Sequence, residues 1–293
     1  MSSPLPYIQS KDTATRLKKY LWFTLRLAIS GLAIYMIATQ VMHKDWSTLT
    51  AFPKSSHYWL FVLIAAGLVF LNWGLEIEKW RFLVSRTDLV SFKQASHPVL
   101  TGLTMNWIVP WSFGDLLMRL KGHKSLKNGA LAIFINRFTA LSTTLFFGAI
   151  GAASFILQER GANFLNGPFW FGVAVAMILV LALVMGSRAL FISIMRYSVF
   201  SLQFFFLLQP LLPEVPWAAV FCGIFWTFLL KSIVPSLFGG FGVREVSAIA
   251  FFSLWSAPVQ VVLVPSLVLW ILNIVLPSMA GIPLLLREKL RIA

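Results

Sequence analysis

The apolar runs of this chain constrain its fold more than any other feature. Tyr20–Val41 holds one charged residue, Arg26, and comparable runs follow near 58–75, 97–113, 129–157, 168–187, 190–209, 216–237, 245–257 and 259–286. A helix crosses the hydrocarbon core with ~20 apolar residues, and several of these runs reach that length. Only 12% of residues are charged, against about a quarter in soluble domains. Mean hydropathy is +0.81. The chain reads as an all-α polytopic membrane protein. Residues 1–19 form a cytoplasmic N-terminal segment, 20–286 one transmembrane domain, and 287–293 a cytoplasmic tail.

A net charge of +14 raises nucleic acid as a partner. The Lys and Arg residues instead cluster beside the apolar runs, as cytoplasmic orientation signals do, so nucleic acid is set aside. Lys11, Arg16, Lys18 and Lys19 precede the first run. That run is too long for a signal-peptide core and lacks a small-residue cleavage site, so it reads as a retained span. Arg26 can snorkel to the headgroups. The lone Cys222 excludes an intrachain disulfide and reads as a small core residue.

Two stretches nearly repeat each other. Ile108–Arg119, IVPWSFGDLLMR, and Ile233–Arg244, IVPSLFGGFGVR, share I-V-P-x-x-F-G and an Arg five residues after the Gly, 125 positions apart. Pro removes a backbone donor and clashes with a continuing helix, while Gly opens backbone angles other residues avoid. Pro110, Gly114, Pro235, Gly239, Gly240 and Gly242 therefore mark two helix breaks.

The first break also resolves a conflict of charge. Lys79, Arg81, Arg86 and Lys93 lie before the run at 97–113, and Arg119, Lys121, Lys124 and Lys127 after it. A full span between them would place one cluster outside, against the positive-inside tendency. A re-entrant hairpin near 97–118, returning to the cytoplasmic side, removes the conflict. A second hairpin near 216–257 enters from the opposite face, between a loop free of Lys and Arg at 209–217 and the cytoplasmic cluster Arg287, Lys289 and Arg291. With about six full spans this is an inverted repeat, a recurring transporter design. A chance match between apolar sequences is the competing reading.

Ionisable groups inside such runs are expensive and usually face a partner or a cavity. Asp115 and Arg119 are four apart and share a helix face. Arg244 and Glu245 follow the second break, and Arg137 lies in the run 129–157. The candidate headgroup site comprises Arg119, Arg137, Arg244, Asp115, Glu245 and Asn106, with guanidinium forks suited to phosphate. The bland readings are that Arg119 opens a cytoplasmic loop, Arg137 pairs structurally with Asp115, Lys231 snorkels or pairs with Glu245, and Asn106 bonds carbonyls freed at the break. Glu76 and Glu78 beside Lys79 and Arg81 read as an interfacial helix end, and Arg188 and Arg196 as cytoplasmic-side charges. The His residues are scattered without metal-ligand spacing, and no nucleotide-binding or hydrolase motif is present. No metal or cofactor is expected, and no catalytic residue is assigned.

Three ordered pieces, NWIVPWSFGDLLMR, the pair Asn136–Arg137 and FGGFGVRE at Phe238–Glu245, resemble the lysylphosphatidylglycerol synthase transmembrane-region family. Its pattern reads N-x-x-x-P-x-x-x-G-E-x-x-R, an E-R pair in the next span, and P-G-G-x-G-x-x-E late in the chain. This chain departs from it: Asp115 replaces Glu, Arg119 falls one residue late, Phe238 replaces Pro, and Asn136 and Ala140 stand where acids are expected. The resemblance extends over about 20–286 and implies a flippase-like inner-membrane protein handling lipids, such as aminoacylated phosphatidylglycerol or polyprenyl-linked intermediates. The synthases carry a soluble transferase domain that is not expected here. The resulting expectation is translocation of an anionic, phosphate-containing lipid. The alternatives are a non-catalytic subunit supporting a transferase partner, or a membrane-embedded lipid-modifying enzyme.

Overall fold

The computed structural model describes residues 21, 24–25, 27–39, 56–85, 89–109, 113–121, 125–159, 187–235 and 240–290. Among them the chain is helical, with no strand. The helices are α1 (Leu27–Thr39), α2 (Ser56–Val84), α3 (Phe92–Ile108), α4 (Phe113–Lys121), α5 (Leu126–Glu159), α6 (Arg188–Leu208), α7 (Trp217–Ile233), α8 (Val243–Ser253), α9 (Val259–Trp270) and α10 (Leu276–Leu290). A π-helical turn, Ile271–Val275, joins the last two. Four helical stretches are long and apolar enough to cross a membrane: Tyr58–Val84, Leu126–Gln158, Arg188–Leu211 and Val259–Arg287. The N-terminal segment 1–19, Arg26, Pro110, Gly239 and most of the run 168–187 lie outside the described residues.

Both near-repeats are helix–break–helix hairpins. Val109 leaves the helix in an extended conformation, and α4 folds back on α3. Gly114 sits so close to α3 that a Cβ there would come within 2.4 Å of the Met105 carbonyl carbon. In the second, Val234 is extended, Gly240 and Gly242 have φ of +90° and +88°, and α8 returns along α7. Those angles strain any residue bearing a Cβ. The hairpins also correspond in register, since α3 and α7 begin and end 125 residues apart.

The two halves pair reciprocally. The long opening helices α2 and α6 pack antiparallel, with Phe61 beside Phe206 and Glu78 bonded to Arg188 at the far end. The first hairpin's α3 packs on α10, and the second hairpin's α7 packs on α5.

Aromatic packing fills one side of the bundle. Phe147 stacks on Tyr197 at 4.6 Å and Phe155 on Trp226 at 4.4 Å, within a buried cluster that includes Cys222. A smaller cluster under the first hairpin unites Trp80, Val99 and Ile133.

One reading needs correction. Helix α2 does not end at an interface near residue 75; it continues to Val84, and Glu76 is only 4% exposed and Lys79 fully buried. Their opposite charges neutralise each other and adjacent helices supply further partners, so burial is tolerated. Glu78 and Arg81 remain a half-buried pair at the helix end, joined by Arg188.

Candidate functional site

The first hairpin delivers its charged residues to α2, α5 and α6. Asn106, on the last turn of α3, accepts a hydrogen bond from the Asp115 backbone amide at 3.0 Å. It thus satisfies a helix-start N–H, rather than a freed carbonyl. Asp115 lies in the first turn of α4, where a carboxylate suits the dipole. It receives Arg119 Nε at 2.7 Å and Arg137 Nη2 at 3.1 Å. Arg119, 4% exposed, stacks over Trp80 and donates Nη2 to Glu76 Oε1 at 2.7 Å.

Glu76 is the hub. Besides Arg119 it holds Arg196 Nη1 at 3.0 Å, accepts from Asn136 Nδ2 at 3.1 Å, and lies 3.7 Å from Lys79 Nζ. Lys79 also donates to the Asn136 carbonyl and the Ser193 hydroxyl. One carboxylate therefore ties four helices, α2, α4, α5 and α6, through three cations and the Asn136 amide.

The second hairpin carries a separate, closed cluster. Glu245 reaches back to the Gly242 amide at 2.7 Å, half of a capping box. Arg244 bonds Glu245 and the Ser266 hydroxyl on α9, and Arg244 and Glu245 are 1% and 0% exposed.

Between these clusters lies a cavity of about 200 Å³ lined from α2, α5, α6, α7 and the π turn. Asn72, Ala140, Thr144 and Asn273 fall near the middle of their long helical stretches, whereas Lys79 lies toward the end of α2 and Lys231 in the last turn of α7. Lys79, Arg196 and Lys231 face it, with Asn72, Asn273 and Tyr197 among the polar lining and no carboxylate. Asn72 Nδ2 donates to Asn273 Oδ1 at 2.7 Å, tying the π turn to α2. π-Helical turns occur often at functional sites. The stem of Lys231 crosses Gly240, where a Cβ would come within 2.6 Å of it, so the second break determines where this ammonium points.

Of the residues expected from sequence, Asn106, Asp115, Arg119 and Arg137 come together, and Arg244 and Glu245 form their own pair. None lines the cavity. The cations that do line it are Lys79, Arg196 and Lys231. Arg196 pairs with the buried Glu76, its own side chain 28% exposed. Lys231 neither pairs with Glu245 nor with any other carboxylate among the described residues; its ammonium lies 5.5 Å over the Phe200 ring.

A family model described as the lysylphosphatidylglycerol synthase TM region matches residues 23–207, well over half of the chain. The chain belongs to this family. The match takes in α1 to α6, and therefore the first hairpin and the whole Glu76 hub. The second hairpin, with Lys231, Arg244 and Glu245, lies beyond the matched residues. Within the matched region, Asn136 and Ala140 stand where the resemblance led to an expectation of acids. Asn136 bonds Glu76 and Lys79, and Ala140 lines the cavity. A comparison with curated proteins finds no match.

Proposed function

We propose that this chain translocates, or otherwise handles, a lipid bearing an anionic, phosphate-containing headgroup across the cytoplasmic (inner) membrane, and that the central cavity receives the headgroup. The observation that carries this reading is the placement of Lys79, Arg196 and Lys231 around one cavity between apolar helices, with no lining carboxylate among the described residues. Ionisable groups within such helices are expensive and mark substrate pathways. Arg and Lys are the side chains that hold phosphate.

On this reading the hairpins α3–α4 and α7–α8 dip into the bilayer from opposite faces, between six full spans, with both termini cytoplasmic. Irregular backbone at membrane depth requires cover from protein or a wet cavity. The two halves rock about the cavity to expose it alternately. We treat the chain as a transporter rather than an enzyme because each carboxylate around the cavity is engaged: Glu76 by Arg119 and Arg196, Asp115 by Arg119 and Arg137, Glu245 by Arg244. None is left as a general base.

Purified protein in vesicles carrying a labelled anionic phospholipid tests this. Lipid movement between leaflets is expected to accelerate over protein-free vesicles, and to fall about tenfold or more in Arg196→Gln, the loss of one charge contact. No acceleration in wild-type vesicles would refute translocation. Acceleration only after a transferase is added would favour the supporting-subunit reading.

A further inference from the structure

The cavity holds more positive charge than its surroundings neutralise, and the excess sets the charge of what it binds. This step rests on the cavity being a headgroup site, as proposed above. Glu76 is shared by Arg119, Arg196 and Lys79, and Asp115 takes the other edge of Arg119. Lys231 has no carboxylate partner among the described residues. The nearby Arg244 is already matched by Glu245. The three lining cations, Lys79, Arg196 and Lys231, together with Arg119 behind them, therefore share two carboxylates, Glu76 and Asp115, neither of which lines the cavity. Arg137 is left out because its side chain is half exposed.

A second observation is independent of this charge balance. Three buried donors among the lining residues have no hydrogen-bond partner: Arg196 Nε, Tyr197 Oη and Trp73 Nε1. Buried donors are normally satisfied. An anion with several acceptor oxygens would balance the charge, and would reach these sealed donors once the lining side chains shift. The volume, about 200 Å³, equals that of about seven waters at ~30 Å³ each, enough for a phosphate or diphosphate.

We infer that the cavity selects a doubly charged phosphate group, a monoester or diphosphate at the end of a lipid, over the singly charged phosphodiester of ordinary phospholipids. An aminoacylated headgroup, which brings its own cation, is disfavoured for the same reason.

The test is a binding measurement on the purified full-length chain in uncharged detergent at pH 7, where a phosphate monoester carries close to two negative charges. Fluorescent dioctanoyl phosphatidate is titrated against its phosphatidylglycerol counterpart. Phosphatidate is expected to bind about tenfold more tightly, a modest charge difference at this depth. Lys231→Gln is expected to reduce that ratio to about threefold or less, and Lys231→Arg to retain it. Removing an unpaired cation should not impair folding, and a melting curve checks that. Equal affinities in the wild type, or an unchanged ratio in Lys231→Gln, would overturn the inference. Inorganic diphosphate is expected to compete only at far higher concentration, and competition at equal concentration would assign the site to a free anion and overturn the lipid assignment. Selective binding without movement in vesicles would refute translocation while leaving this inference standing.

Discussion

Glu76→Gln is expected to be the most damaging single substitution, lowering stability by about 3–5 kcal/mol, as removal of one partner of a buried ion pair does. The side chain keeps its shape, so packing is not the cause. Arg119, Arg196 and Lys79 would lose the one carboxylate they share, and two of them are almost wholly buried. Because the cations sit on α4, α6 and α2, mutual repulsion would separate the first hairpin from the long helices. Thermal unfolding in detergent, followed by the loss of monodisperse protein, measures the effect. A melting temperature equal to wild type would show that Glu76 is not the hub of the bundle.

The Arg244–Glu245 pair is expected to behave as a structural unit rather than a headgroup ligand. Each of Arg244→Met and Glu245→Gln alone strands a buried charge and is expected to lower stability by about 3–5 kcal/mol. The double substitution is expected to recover most of that loss, because an apolar and an uncharged polar group leave nothing unpaired; a double-mutant cycle should give a coupling of about 2 kcal/mol or more. If the double variant, once folded, moves lipid at the wild-type rate, Arg244 takes no part in headgroup binding. Additive losses would contradict the closed-pair geometry seen between Arg244, Glu245 and Ser266.

The hairpins were legible in the sequence because each pairs a Pro with a Gly a few residues on, and the 125-residue offset carried through to the ends of α3 and α7; a lone Pro is no such signal, since Pro98, Pro265 and Pro283 sit inside continuous helices. Asp115 and Arg119 were legible for a similar reason, since four residues is one helical turn. Glu76, Lys79 and Arg196 were not, because their burial depends on which helices pack against α2. A charged cluster at the end of an apolar run looks the same whether it meets headgroups or a neighbouring helix. One signal was present: Asn72, Glu76 and Lys79 follow at i, i+4 and i+7, a polar stripe along one face of an apolar helix. Ser193 and Arg196 make the complementary stripe on α6. The place of Lys231 was not legible either, since no spacing rule contains the passage of its stem across Gly240 or its ammonium over Phe200.

The central claim is that a cationic, water-reachable cavity lies at mid-membrane between the two halves. Its most direct test is thiol labelling of Thr144→Cys, a cavity-lining position on α5, in a Cys222→Ala background in sealed vesicles. The account expects a membrane-impermeant, water-soluble maleimide to react there, and phosphatidate to protect it. A thiol at this position that is unreactive from both faces of the membrane, yet reactive after unfolding, would contradict it.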